Sequence, residues 1–214
     1  MIVRELLQAI GVSLKTSGLA ALVASLLAVP AALFLSGRDF RGKRAVLLVN
    51  QTWMAAPTVV IGLLFYFLLS RSGPLGRFGL LYTQAAMTIG QVFLILPLIT
   101  GFSYTALRQV DRRARLTALT LGASRRQAGW VVLREAKFAL LVAVLAGFAR
   151  AVSEVGIAMM LGGNIRHATR NITTAIALET AKGEFTNGIA LGAILLAVTL
   201  GINVLVQVGL RSKE

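Results

Sequence analysis

The chain has 214 residues, of which 57% are hydrophobic and only 14% charged, and its mean hydropathy is +0.79. That apolar content exceeds what a water-soluble core of this length needs and places the chain in the membrane class. Without cysteine it can form neither disulfides nor thiolate metal sites. The net charge of +14 would by itself suit nucleic acid, but its distribution reads as a topology signal instead, so no nucleic-acid partner is expected.

Five stretches free or nearly free of charge approach or exceed the roughly 20 residues needed to cross about 30 Å of hydrocarbon. They predict an all-α, polytopic membrane helical bundle of about five transmembrane helices in a single domain, 1–214, because backbone in lipid must satisfy its own hydrogen bonds. The first stretch, 16–37, contains Pro30 and is longer than a signal core. It is therefore expected to be retained rather than cleaved. A basic turn with Arg38, Arg41, Lys43 and Arg44 leads to the second, 45–70, which carries Asn50, Gln51 and Thr52 near its start and Pro57 further on. Those three polar residues suit hydrogen bonds between helices, or pore lining. The turn 71–77 has Gly-Pro punctuation. The third stretch, 78–107, contains Pro97. Each of the three prolines predicts a kink, either tolerated or used when helices rock.

Next comes a basic block, 108–137, with Arg108, Arg112, Arg113, Arg115, Arg125, Arg126, Arg134 and Lys137. The fourth stretch, 138–165, is interrupted by Arg150 and Glu154, one turn apart on one helical face. Arg150 would lie about 18 Å along the axis from residue 138, near mid-membrane, where an unpaired charge costs at least about 2.5–3.5 kcal/mol. The two must pair, with each other or across an interface, or line water. Two roles stay open: an ion pair that fixes packing, or a group on the translocation path or its gate. Ala143, Gly147 and Ala151 share a small-residue face, as do Gly188 and Gly192 in the fifth stretch, 185–210. Such faces serve packing within the chain or dimerisation.

The segment 162–184 starts with Gly162, Gly163 and Asn164, continues through Arg166, His167 and Arg170 with interleaved threonines, and ends in an apolar piece, 171–178. That piece predicts a short interfacial or re-entrant helix. The cations and hydroxyls suit an oxyanion, or else a partner's acidic surface or lipid headgroups. A lone His167 offers no metal site. Arg211 and Lys213 follow the fifth stretch. If five spans alternate, the basic turn, the basic block and this tail lie on one side, and the positive-inside rule puts them in the cytoplasm with the N-terminus outside. No phosphate loop, H-E-x-x-H or nucleophile elbow occurs, so the chain is not expected to be an enzyme.

Within the basic block, Leu116 to Ser124 followed by Trp130 to Leu133 resembles the EAA loop of ABC importer permeases, which reads Glu-Ala-Ala, three residues, Gly, nine residues, Ile-x-Leu-Pro. Ala118, Gly122 and Val132 fit that pattern. Leu116 stands in place of the glutamate, Thr117 replaces the first alanine, and Arg134-Glu135 replace Leu-Pro. A short helix with small residues at Ala118, Gly122 and Ala123 can enter a groove on another protein, and the surrounding arginines suit an acidic rim or anionic lipid headgroups.

A second likeness covers Arg150 to Gly156, Met159 to Ile165 and Thr169 to Ile176, which are similar to the corresponding region of oxyanion permeases, tungstate importer permeases above all; molybdate and sulfate permeases share much of it. The resemblance implies a five-span, type I ABC importer permease in the plasma (inner) membrane of a prokaryote. It further implies a second copy of the chain as dimer partner, separate ATPase subunits that hold ATP and Mg, and an extracytoplasmic substrate-binding protein. No cofactor is expected on the chain itself. The ATPase-coupling residues would be Ala118, Leu121, Gly122, Ala123, Ser124 and Arg125, and the path or gate would involve Arg150, Glu154, Gly162, Gly163 and Asn164. Two other classes compete: a secondary carrier, against which the odd span count and absent repeat weigh, and a membrane scaffold protein.

Overall fold

The computed structural model describes residues 3–211; Lys213 of the expected basic tail lies outside them. Among the described residues all regular structure is helical. Helix α1 (Val3–Gly37) is 35 residues long, about 52 Å at 1.5 Å per residue. It starts well before the apolar stretch because Val3 to Ile10 mixes good helix formers with polar residues, and Ala9 is buried against Ile172, Ala175 and Leu191.

The second stretch is not one helix. It divides into α2 (Lys43–Met54) and α3 (Thr58–Leu69), separated where Pro57 adopts an extended conformation and begins the new helix. Helix α4 (Gln84–Gln109) is continuous through Pro97. The basic block forms two helices, α5 (Arg112–Thr120) and α6 (Arg125–Glu135). The fourth stretch is likewise broken, into α7 (Lys137–Val152) and α8 (Gly156–Gly162). Then come the short α9 (Ile172–Ala181), where an interfacial or re-entrant helix was expected, and α10 (Phe185–Arg211). By length and composition α1, α4 and α10 can each cross a membrane, which makes five spans if the pairs α2/α3 and α7/α8 each count as one.

The chain divides into two compact units. One comprises Met1–Ala20, Ala56–Leu94 and Phe148–Glu214; the other comprises Ala21–Ala55 and Ile95–Gly147. In the first, Ala9 of α1, Ile172 and Ala175 of α9 and Leu191 of α10 form a buried cluster. In the second, Ala32, Leu107, Val132, Ala136 and Leu140 do the same. Asn50 of α2 donates to the Pro97 carbonyl at 3.0 Å, a link between helices, whereas Thr52 bonds within its own helix, to the Leu48 carbonyl. A Cβ on Gly147 would come within 2.5 Å of Ile99, so packing inside the chain accounts for that glycine. Gly192 has nothing near it.

Candidate functional site

The α5–α6 hairpin is capped at each step. Asp111 accepts a hydrogen bond from the Arg113 N–H at 2.8 Å and starts α5. The helix ends in a paired closure: the Ala123 N–H donates to the Ala118 carbonyl and the Gly122 N–H to that of Leu119, with Gly122 at φ 88°. Immediately afterwards Ser124 and Gln127 form a reciprocal capping box that starts α6. Sequence reasoning placed Gly122 on a helix. The structure puts it in the turn instead, because a left-handed residue closes α5 there and glycine adopts that conformation without a Cβ penalty.

Leu121 stands at this tip with 82% of its surface exposed. Behind it Val132 of α6 and Ala136, just past its end, are buried with Leu107 of α4 and Ala32 of α1. Arg115 of α5 donates to the Gly37 carbonyl at the end of α1, at 3.0 Å. The predicted coupling residues Ala118 to Arg125 thus form one short, fully capped hairpin tip seated on a packed base.

In the other unit, Glu154 lies in the break between α7 and α8 rather than on a continuous helix. Its carboxylate is nearly sealed from solvent, with a side-chain exposure of 3%, and accepts from Arg150 Nη1 at 2.7 Å. The second oxygen accepts from the Ile157 N–H at 3.3 Å, in the first turn of α8. One carboxylate therefore neutralises a cation and also satisfies a backbone donor that the break would leave orphaned. Arg150 pairs within its own chain but keeps 38% of its side chain exposed, and a guanidinium carries five donors. Thr173, within 2.9 Å of both the Glu154 carbonyl and Asn171 Oδ1, ties the break to α9.

Gly162, Gly163 and Asn164 occupy the far end of α8, about 9 Å away at helical rise, so the residues predicted for the path do not form one cluster. Gly162 is packed against Met87, leaving no space for a side chain. Gly163 and Asn164 have positive φ values, as does Tyr82, whose ring abuts Gly163. Asn164 accepts from Arg170 at 3.1 Å, Arg166 is ion-paired with Glu5, and His167 meets Gln8 at 2.6 Å. Arg166, His167 and Arg170 each have an internal partner, and these contacts pin the turn. Tyr82 contacts the Tyr66 hydroxyl, and that contact raises its pKa above the usual phenol value.

A model of the family described as binding-protein-dependent transport system inner membrane component matches residues 24–211. The chain belongs to this family. Every residue predicted for coupling or for the path lies inside the matched segment. The chain is 43% identical, over 91% of its length and 86% of the relative's, to a probable anion ABC transporter permease protein of Haloferax volcanii. It is 40% identical, over 77% and 69%, to a tungstate uptake system permease protein of Campylobacter jejuni. To the protein of that description from Peptoclostridium acidaminophilum it is 38% identical, over 91% and 85%. A probable molybdenum ABC transporter permease protein of Haloferax volcanii reaches 31%, over 89% and 74%. The solved structure of an amino acid ABC transporter with histidines shares the fold, with a TM-score of 0.69 over 98% of this chain and 94% of that one, at 16% identity.

As a transport permease of this family, the chain also contains buried polar contacts that window hydropathy does not reveal. Gln91 of α4 is fully buried and donates to the Ala151 carbonyl at 3.1 Å and to Ser17 at 3.4 Å. Ser13 accepts from the Ile172 N–H at 3.0 Å. Both lie in apolar or helix-forming sequence, and the available signal was a bulky amide in an otherwise charge-free span. Asn171, which opens α9 with a capping box, was legible as Asn followed three residues later by Thr.

Proposed function

We propose that this chain is the permease subunit of an ATP-driven importer for an oxyanion, tungstate in first place. Two copies form the translocation path, and ATP and Mg belong to separate ATPase subunits that grip the α5–α6 tip. A substrate-binding protein delivers the anion from outside. The orientation follows the charge: basic turn, hairpin and C-terminus in the cytoplasm, N-terminus outside. The chain acts as one permease domain with residues 108–137 as its coupling loop. Arg150 stands at the path or gate, held by Glu154 and keeping donors for a passing anion.

The observation that carries this reading is Leu121, a large apolar side chain at 82% exposure on a tip whose every cap is satisfied. Such a side chain makes no core contact and can serve as an apolar anchor in a groove on a partner. Identities of 38–40% to tungstate permeases, against 31% to a molybdenum permease, support the choice of anion.

The test is co-purification. The wild-type chain should hold its ATPase, and Leu121→Asp should lose it with an unfolding midpoint equivalent to within about 0.5 kcal/mol of wild type. Retention of the ATPase by that variant would overturn the coupling assignment. For the substrate, the partner binding protein should prefer tungstate over molybdate and sulfate, and equal affinity for sulfate would remove tungstate.

A further inference from the structure

Beside the hairpin tip, within the same unit, lies an open crevice of about 970 Å³. Arg38, Arg108, Arg115, Arg125 and Arg126 line it, against two carboxylates, Asp39 and Asp111. Asp39 pairs with Lys43 at 2.9 Å and Asp111 caps α5. The first turn of α6 holds Arg125 and Arg126 and no acid, so two cations sit where the helix dipole is already positive. An anion in the crevice offsets both.

The floor has the opposite character. Pro30, Leu33 and Phe34 come from the membrane-length helix α1, with Trp130 and Leu133 from α6. The α1 wall of the crevice therefore runs from the cations near the end of α1 to Pro30, about two turns inside the first apolar stretch, and Trp130 and Leu133 of the hairpin face it across the crevice. A free inorganic anion has no use for the apolar floor, and a soluble ATPase does not reach residues inside the span. We infer that this crevice binds an anionic phospholipid, its phosphate among the arginines and an acyl chain along Phe34 and Leu33. The inference rests on the inward orientation proposed above.

Trp130 lines the crevice and reports on it. With Trp53→Phe as background, the full chain is placed in vesicles containing brominated phosphatidylglycerol or brominated phosphatidylcholine. Trp130 should be quenched at a several-fold lower mole fraction of the anionic lipid, and Arg38→Gln with Arg108→Gln should abolish the difference. Equal quenching by the two lipids would overturn the inference. So would an unchanged preference in the double variant, or displacement of the lipid by inorganic phosphate, which would mark a simple anion site. If the double variant fails to insert, Arg38→Gln alone should halve the preference or better, and no change would overturn the inference. In the assembled complex, native mass spectrometry should find phosphatidylglycerol together with the ATPase. An ATPase bound without lipid would show that acidic groups of that subunit fill the crevice instead. Failure of coupling is read separately, through Leu121→Asp.

Discussion

The hairpin tip and the α7–α8 break are both places where a helix stops, and they are built in opposite ways. At the tip, backbone groups close on one another at Gly122 and the side chains of Ser124 and Gln127 accept from each other's N–H, so Leu121 is left free to face outward. At the break a buried carboxylate does the closing, and an apolar residue at 154 would leave both a backbone N–H and a guanidinium without their acceptor. The contrast teaches where sequence can vary. A tip closed without the Leu121 side chain tolerates changes there in folding terms, whereas the break depends on an acceptor at position 154.

That comparison is broken most severely by Glu154→Leu. It removes a charge-assisted hydrogen bond and strands Arg150, and should lower stability by about 1.5–3 kcal/mol, read as the unfolding midpoint in detergent. Glu154→Gln keeps an acceptor for the Ile157 N–H and should lose less. Equal losses would mean that charge pairing contributes nothing at the break. Next in size is Gly122→Val, which forces a β-branched residue into left-handed backbone and should cost about 1–2 kcal/mol, in contrast to the near-neutral Leu121→Asp beside it. A neutral Gly122→Val would show that the closing turn can be remade.

The smallest effect sharpens the comparison by moving the ion-pair chemistry to a surface. Lys182 beside Glu179, at 2.9 Å, holds that carboxyl below the usual glutamate value. A carboxyl with a depressed folded pKa adds stability above its unfolded pKa and loses it as pH falls through the folded value. Midpoints of wild type and Glu179→Gln should therefore differ slightly near neutrality and converge in acid below the ordinary carboxylate range. A gap that widens in acid would reverse the sign of the argument.

Hydropathy made the apolar spans legible, because length and charge-free composition are properties of a window. Helix breaks are not. Pro57 gave a signal at its own break, but Ser153 to Val155 offered none, since the carboxylate that stabilises that break was read as one half of a helical pair. Arg150 and Glu154 were recognised as partners because spacing alone brings them together. Gly162 to Asn164 were grouped with them by likeness, and only the course of α8 shows the separation. The left-handed state of Gly122 goes with bonds from its own N–H and that of Ala123 back to α5, which spacing does not encode.

The closed tip has a kinetic consequence. A loop that ordered itself only on meeting its receptor would lose about 1–2 kcal/mol of backbone freedom per residue at that moment, and association would slow or weaken accordingly. Here that ordering is complete beforehand. Were a partner to grip the tip as proposed, it would meet a preformed shape and displace the hairpin as a solid piece.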